Sequence, residues 1–254
     1  MSLFTRLTLA ATLAACVATA HAAPVPGQGT WETTLFARDI SGNAVALNSA
    51  SAAFFYDATM NVTWLANMNP QNSTMNWGTA MAWADALTTG GFTDWRLPNI
   101  IDSGAPGCDW SYDGGTDCGF NVQTQVGSAY SEWARLYYVT LGNLGACAPG
   151  GGTPDTCELQ AGGGLTNTAY FHDMQSYFYW SGAEHVPGSG GVWGFATIVG
   201  RQDAYDSHDD QYAAAVRSGD VLRDIGTVPE PQSLVLALMA LAGLGLASRR
   251  RRTA

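Results

Sequence analysis

The chain has 254 residues, with 21 acidic side chains against 11 basic ones and a formal net charge of −10. Every basic residue is an arginine, charged residues reach only 13%, and glycine occupies 30 positions. A chain this acidic and free of lysine has no surface for tracking a phosphate backbone, and its 46% apolar content with nine tryptophans excludes a disordered acidic polymer.

Residues 1–23 start with Arg6, pass through the apolar run 7–17 and end on Ala20-His21-Ala22. That order of charged start, apolar stretch and small-residue site predicts a secretory signal peptide cut after Ala22 or Ala23. Leu13-Ala14-Ala15-Cys16 also fits the lipobox of bacterial lipoproteins, and a core helix is the third reading.

At the other end, Val228-Pro229-Glu230-Pro231 precedes the apolar segment 234–247 and then Arg249-Arg250-Arg251-Arg252. As a helix that segment would be about 21 Å long, short of the roughly 30 Å hydrocarbon core, though flanking residues and local thinning make up the difference. The arginines behind it are read as cytoplasmic, which leaves the body of the protein outside the inner membrane. The three parts in this order resemble the PEP-CTERM sorting signal of Gram-negative bacteria. The resemblance implies recognition by an exosortase, cleavage near Pro-Glu-Pro, and passage to the cell surface or an exopolysaccharide matrix. An uncleaved C-terminal anchor is the alternative.

Without these ends, residues 24–227 keep six arginines and twenty acidic residues, a net charge of about −14. A length of roughly 200 residues suits one domain able to bury its own core. Cys108, Cys118, Cys147 and Cys157 form an even set in an exported chain and predict disulfides. Three connectivities exist, and sequential pairing is the simplest, closing two loops. No Cys-x-x-Cys or histidine pair supports a metal role.

Taken in chain order, Ala53-Phe54-Phe55-Tyr56, a polar turn at residues 57–61 and Val62-Thr63-Trp64-Leu65 read as a hairpin. Asn76 precedes Trp77, Ala80, Met81, Ala84 and Leu87, the spacing of one helical face, closed by Gly90-Gly91. Residues 92–98 read as extended. Ser131 reads as the cap of a second helix carrying Trp133, Leu136, Tyr137 and Leu141. From residue 177 onward the pattern turns to strands, at 177–180, 192–199 and 212–216. Early helices with short strands around them predict an α+β domain.

The stretches YDATMNVTWL, MNWGTAMAWADALTTGGFTDWRLP, SEWARLYYVTLGN, MQSYFYWSGAEH and YAAAVRSGDV resemble the DUF1566 family, also called the Lcl C-terminal domain, over about residues 54–221. The resemblance implies an irregular fold of two helices with small antiparallel sheets, related to the C-type-lectin-like and formylglycine-generating-enzyme-like group. It also implies a bacterial surface role. Some relatives are implicated in binding polyanionic glycans, which a domain at about −14 should repel.

Chemistry on this framework is sparse. His172, His185 and His208 have no two-histidine metal spacing, and neither a nucleophile elbow nor a phosphate loop occurs. Asp109-x-Ser111-x-Asp113-Gly114 with Asp117 starts like a calcium loop but has Phe120 where the bidentate glutamate belongs. Asp203, Asp206, Asp209 and Asp210 form a denser acidic group in the turn before the last strand and are the candidate calcium ligands. Trp110, Tyr112, Trp180 and Trp193 are candidate platforms for stacking on sugar rings, whereas Trp64, Trp77, Trp83, Trp95 and Trp133 read as core. Arg96 and Arg217 read as partners of buried carboxylates. The sequence thus predicts an exported, non-catalytic domain that meets extracellular glycan or matrix protein, with exosortase as its processing partner and no nucleic acid. The rival expectation is a secreted enzyme acting on polysaccharide through an unrecognised carboxylate site.

Overall fold

Aromatic and β-branched residues on either side of a polar turn give the first hairpin. In the computed structural model, which describes residues 24–102, 117–149, 157–186 and 188–222, a short helix α1 (Trp31–Thr34) leads into β1 (Leu35–Asp39), β2 (Ala52–Asp57) and β3 (Val62–Leu65). The signal peptide 1–23, Cys108, Trp110, Tyr112 and the sorting segment 228–254, with its apolar run 234–247, lie outside the described residues. Among the described residues no helix is long and apolar enough to cross a membrane.

The β2–β3 turn is held by Asp57. Its fully buried carboxylate accepts from the amides of Thr59 (2.9 Å) and Met60 (3.2 Å) and from the Thr140 hydroxyl (2.9 Å). Asn61 closes the turn at φ 54°, in the left-handed region that asparagine tolerates better than most residues.

Helix α2 (Trp77–Asp85) follows the predicted face, with Ala80 and Ala84 buried. Asn76 caps it, its side-chain oxygen accepting from the Thr79 amide at 2.9 Å. The helix ends before Leu87, which packs instead against the cluster of Phe54, Leu65 and Trp95. A 3-10 turn (Thr89–Gly91) leads to the extended stretch, where Arg96 and Val216 exchange backbone hydrogen bonds of 2.8 and 2.9 Å.

Beyond it come β4 (Gly119–Phe120), the ribbon of β5 (Gln125–Val126) and β6 (Ala129–Tyr130), and helix α3 (Glu132–Arg135). Helix α3 continues into a π-helical turn (Leu136–Thr140). Ser131 stands at the N-cap position but makes no side-chain cap bond; its hydroxyl accepts from the Ile101 amide at 2.8 Å and ties down the neighbouring strand-like segment. The wider turn brings Trp133, Leu136, Tyr137, Thr140 and Leu141 inward together, all buried.

The last elements are β7 (Phe178–Glu184), β8 (Gly191–Ala196), β9 (Arg201–Asp206) and β10 (Val216–Ser218). Strands order as β1-β2-β3-β10 in one antiparallel sheet and β4-β9-β8-β7 in the other. The segment read as strand 212–216 bridges Tyr179 through Tyr212 and becomes a strand only at Val216. The acidic stretch read as a turn contains β9, whose polar residues hide a paired strand.

The main core joins both sheets. Trp133 lies edge-on to Trp64 of β3 at 5.3 Å between ring centroids, and meets Tyr179 of β7 at 4.7 Å and Phe195 of β8 at 6.4 Å. Its indole N–H donates to the Trp180 carbonyl at 3.2 Å. Truncating such a side chain typically costs about 3–5 kcal/mol. The architecture is thus mixed and sheet-rich, with few helices and small antiparallel sheets. Cys147 and Cys157 are disulfide-bonded with Cα atoms 5.4 Å apart, as sequential pairing requires. Cys118 is also disulfide-bonded, and its partner lies outside the described residues.

Burial pushes the Asp57 carboxyl above its usual value of 3.8. The folded state therefore holds this proton more tightly than the unfolded chain does. The stability it contributes is complete below pH 3.8 and is lost as pH rises through the raised folded value. Asp57→Asn keeps an acceptor for the two amides and donates to Thr140, so it should fold. Its stability relative to the parent, read from urea midpoints, should rise between about pH 4 and 7. A constant difference across that range would contradict the raised carboxyl.

Candidate functional site

The strand period of two decides which side chains of the second sheet reach solvent. On β7 and β8, Trp180 and Trp193 point into packed surroundings and are 0% and 1% exposed. Trp180 packs in a cluster with Ala80, Ala84 and Leu97, and its N–H donates to the Met75 carbonyl at 2.7 Å. Trp193 lies edge-on to His185 at 4.7 Å and donates to Asp102 Oδ2 at 3.0 Å. These two are structural tryptophans, not sugar platforms, because their ring faces are covered. Trp110 and Tyr112, the other two candidates, fall outside the described residues.

The four aspartates separate for the same reason. Asp203 and Asp206 stand three apart on β9 and so face opposite sides of the sheet. Asp203 is buried, lies 3.1 Å from Arg201 in an ion pair and 3.7 Å from Cys118 Sγ, and burial raises its pKa against the opposing pull of Arg201. Asp206 is exposed and accepts from both the backbone and the ring of His208, bonds that lower its pKa. Among the described residues no group of three or more His, Cys, Asp or Glu side chains is arranged to hold a metal ion.

Asp209 and Asp210 have a different setting. They line a cleft of about 400 Å³ together with Tyr177, Phe178, Tyr205 and Gln211. Phe178 opens β7 and Tyr205 lies near the end of β9, their rings edge-to-face at 5.3 Å. The return segment is pinned beside β7, where the Gln211 amide donates to Met75 and the Tyr212 amide to Phe178, each at 3.0 Å. Tyr177 stands 44% exposed at this cleft, whereas Gln211 is 3% exposed and its Oε1 has no hydrogen-bond partner. Burial raises the Tyr205 hydroxyl to about 12 and keeps it protonated.

Gly194 makes room beneath this arrangement. A Cβ there would come within 2.9 Å of the Tyr205 ring and 3.1 Å of Gln211 Oε1, so a larger residue would push both into the cleft. Tyr177, Tyr205 and Gln211, which the sequence does not mark as site residues, carry no signal within their own segments. Tyr179 and Trp180 are both buried, so the alternation along 177–180 breaks down, and only the pairing of β8 with β9 identifies which rings face out.

The two arginines of the family-like motifs part company. Arg96 donates to both oxygens of buried Glu132 at 2.7 and 2.8 Å, and Glu132 also accepts from the Asn99 amide at 2.7 Å. Arg217 instead donates to the Thr93 carbonyl at 3.1 Å and lies over the Phe92 ring at 5.6 Å, a correction to its reading as a carboxylate partner.

Residues 227–252 match the PEP-CTERM protein-sorting motif. The chain is therefore an exported protein whose processing runs through an exosortase at the membrane and leads to the cell surface. No curated protein and no solved structure matches the chain.

Glu132→Ala strands the Arg96 guanidinium and the Asn99 amide. With Arg96 partly solvated, the expected loss is about 2–3 kcal/mol in chemical denaturation, whereas Arg217→Ala should cost under about 1 kcal/mol. Equal costs would contradict the division of roles.

Proposed function

We propose that the protein is a non-catalytic module of the DUF1566 or Lcl C-terminal type, with a lectin-related fold, that binds glycan in the cell-surface or exopolysaccharide layer after exosortase sorting. The observation that carries this reading is the cleft in which an exposed tyrosine and two further aromatic rings stand beside two carboxylates. Aromatic faces stack on the apolar C–H surface of a sugar ring, and carboxylates accept from its hydroxyls. The sequence resemblance supports the family reading, and the sorting motif supports the location.

A second reading, an enzyme acting on polysaccharide, draws on the adjacent Asp209 and Asp210 at the same cleft. A binding screen of surface and matrix glycans, paired with an assay for new reducing ends, separates the two. Saturable binding without new ends is expected, unaffected by chelator and weakened about tenfold or more by Tyr177→Ala. Turnover lost in Asp209→Asn or Asp210→Asn would favour the enzyme. For sorting, Glu230→Ala is expected to hold the protein in the membrane fraction of an exosortase-bearing host, and unchanged release would contradict recognition through Pro-Glu-Pro.

A further inference from the structure

We propose that the ligand of the Tyr177 cleft is a glycan bearing free amines, a hexosamine polymer with unacetylated nitrogens, rather than a neutral or anionic one. This rests on the glycan-binding reading above.

The polarity of the lining points this way. Asp209 and Asp210 offer two negative charges with acceptor oxygens alone, and Tyr177, Phe178 and Tyr205 offer aromatic rings whose faces carry negative quadrupole charge, the exposed Tyr177 adding one hydroxyl that both donates and accepts. Gln211, almost wholly buried, closes the floor of the lining, with its carboxamide oxygen packed toward Gly194 rather than offered to the cleft. None of the six lining residues carries a positive charge. The neighbouring basic side chains are already engaged, Arg201 with Asp203 at 3.1 Å and the His208 ring with Asp206 at 2.9 Å.

A neutral sugar presents hydroxyls that both donate and accept, and it is best matched by mixed donors and acceptors. An ammonium group presents donors alone together with a full charge. Two surface carboxylates and aromatic faces favour the second pattern through its charge. The excess negative charge of residues 24–227, about −14 with no lysine, acts in the same direction at long range, since it concentrates a polycation near the surface and repels a polyanion. The pyranose ring supplies what a simple cation lacks, an apolar face for the tyrosine. The cleft volume of about 400 Å³ lies within the range of small-ligand sites, which suits a short stretch of such a chain.

The test is calorimetric titration of the full-length protein in mild detergent, in mildly acidic buffer at low and high salt. Four probes are compared: β-1,4-linked tetraglucosamine, its fully N-acetylated counterpart, the glucose tetramer of the same linkage, and tetralysine. Tetraglucosamine is expected to bind at least about tenfold more tightly than either uncharged tetramer, with affinity falling as salt rises. Asp210→Asn and Tyr177→Ala should each weaken it about tenfold, while Asp85→Asn, which removes the same charge from an exposed position on α2, should leave it unchanged. Equal or tighter binding of an uncharged tetramer overturns the amine requirement and leaves glycan binding standing. Binding of tetralysine alone, or of no probe, overturns both. Equal losses in Asp85→Asn and Asp210→Asn reduce the effect to bulk charge and overturn the assignment to the cleft.

Discussion

The indole of Trp133 occupies the place where the two sheets meet, and the rest of the fold is arranged around it. Its ring contacts β3 through Trp64, β7 through Tyr179 and β8 through Phe195, and its N–H ends on the Trp180 carbonyl. The residue before it, Glu132, grips Arg96 and the Asn99 amide, and the Arg96 backbone in turn pairs with Val216 at the edge of the first sheet. Two consecutive residues of one short helix therefore tie three distant parts of the chain together. The π-helical turn that follows lets Thr140 reach Asp57, so the same helical segment also secures the β2–β3 turn.

This concentration of aromatics in the interior determines which rings remain at the surface. Trp64, Trp95, Trp133, Trp180 and Trp193 are all fully buried or nearly so. The outward-facing aromatic chemistry of the second sheet falls to tyrosine and phenylalanine at the β7–β9 end. Acidic residues divide in a similar manner. Asp57, Glu132 and Asp203 are buried and bonded within the fold, whereas Asp209 and Asp210 keep their carboxylates at the surface.

What could be read from the sequence was whatever depends on local chemistry. The hairpin of residues 52–65, the Asn76 cap, the Cys147–Cys157 loop and the sorting signal each follow from spacing within a few tens of residues. The candidate site was not legible, because it depends on partners far apart in sequence. Arg-Gln-Asp-Ala-Tyr-Asp at 201–206 looks like a polar loop until β8 pairs with it, and that pairing is what turns Asp203 inward and Asp206 outward. Trp180 and Trp193 gave the same signal as exposed stacking residues, since an aromatic beside polar neighbours has one appearance whether a helix covers it or not. Helix α2 and Leu97 cover Trp180, and no spacing within 177–199 foretells them.

The central claim is that the ligand meets tyrosines of the cleft and leaves the tryptophan interior untouched. Fluorine NMR of protein labelled with 3-fluorotyrosine and 5-fluorotryptophan, with resonances assigned by single substitutions, tests this directly during titration with tetraglucosamine. The Tyr177 and Tyr205 resonances should shift in step with saturation while those of Trp133, Trp180 and Trp193 stay in place. Movement of the Trp180 and Trp193 signals with Tyr177 and Tyr205 unchanged would contradict the claim.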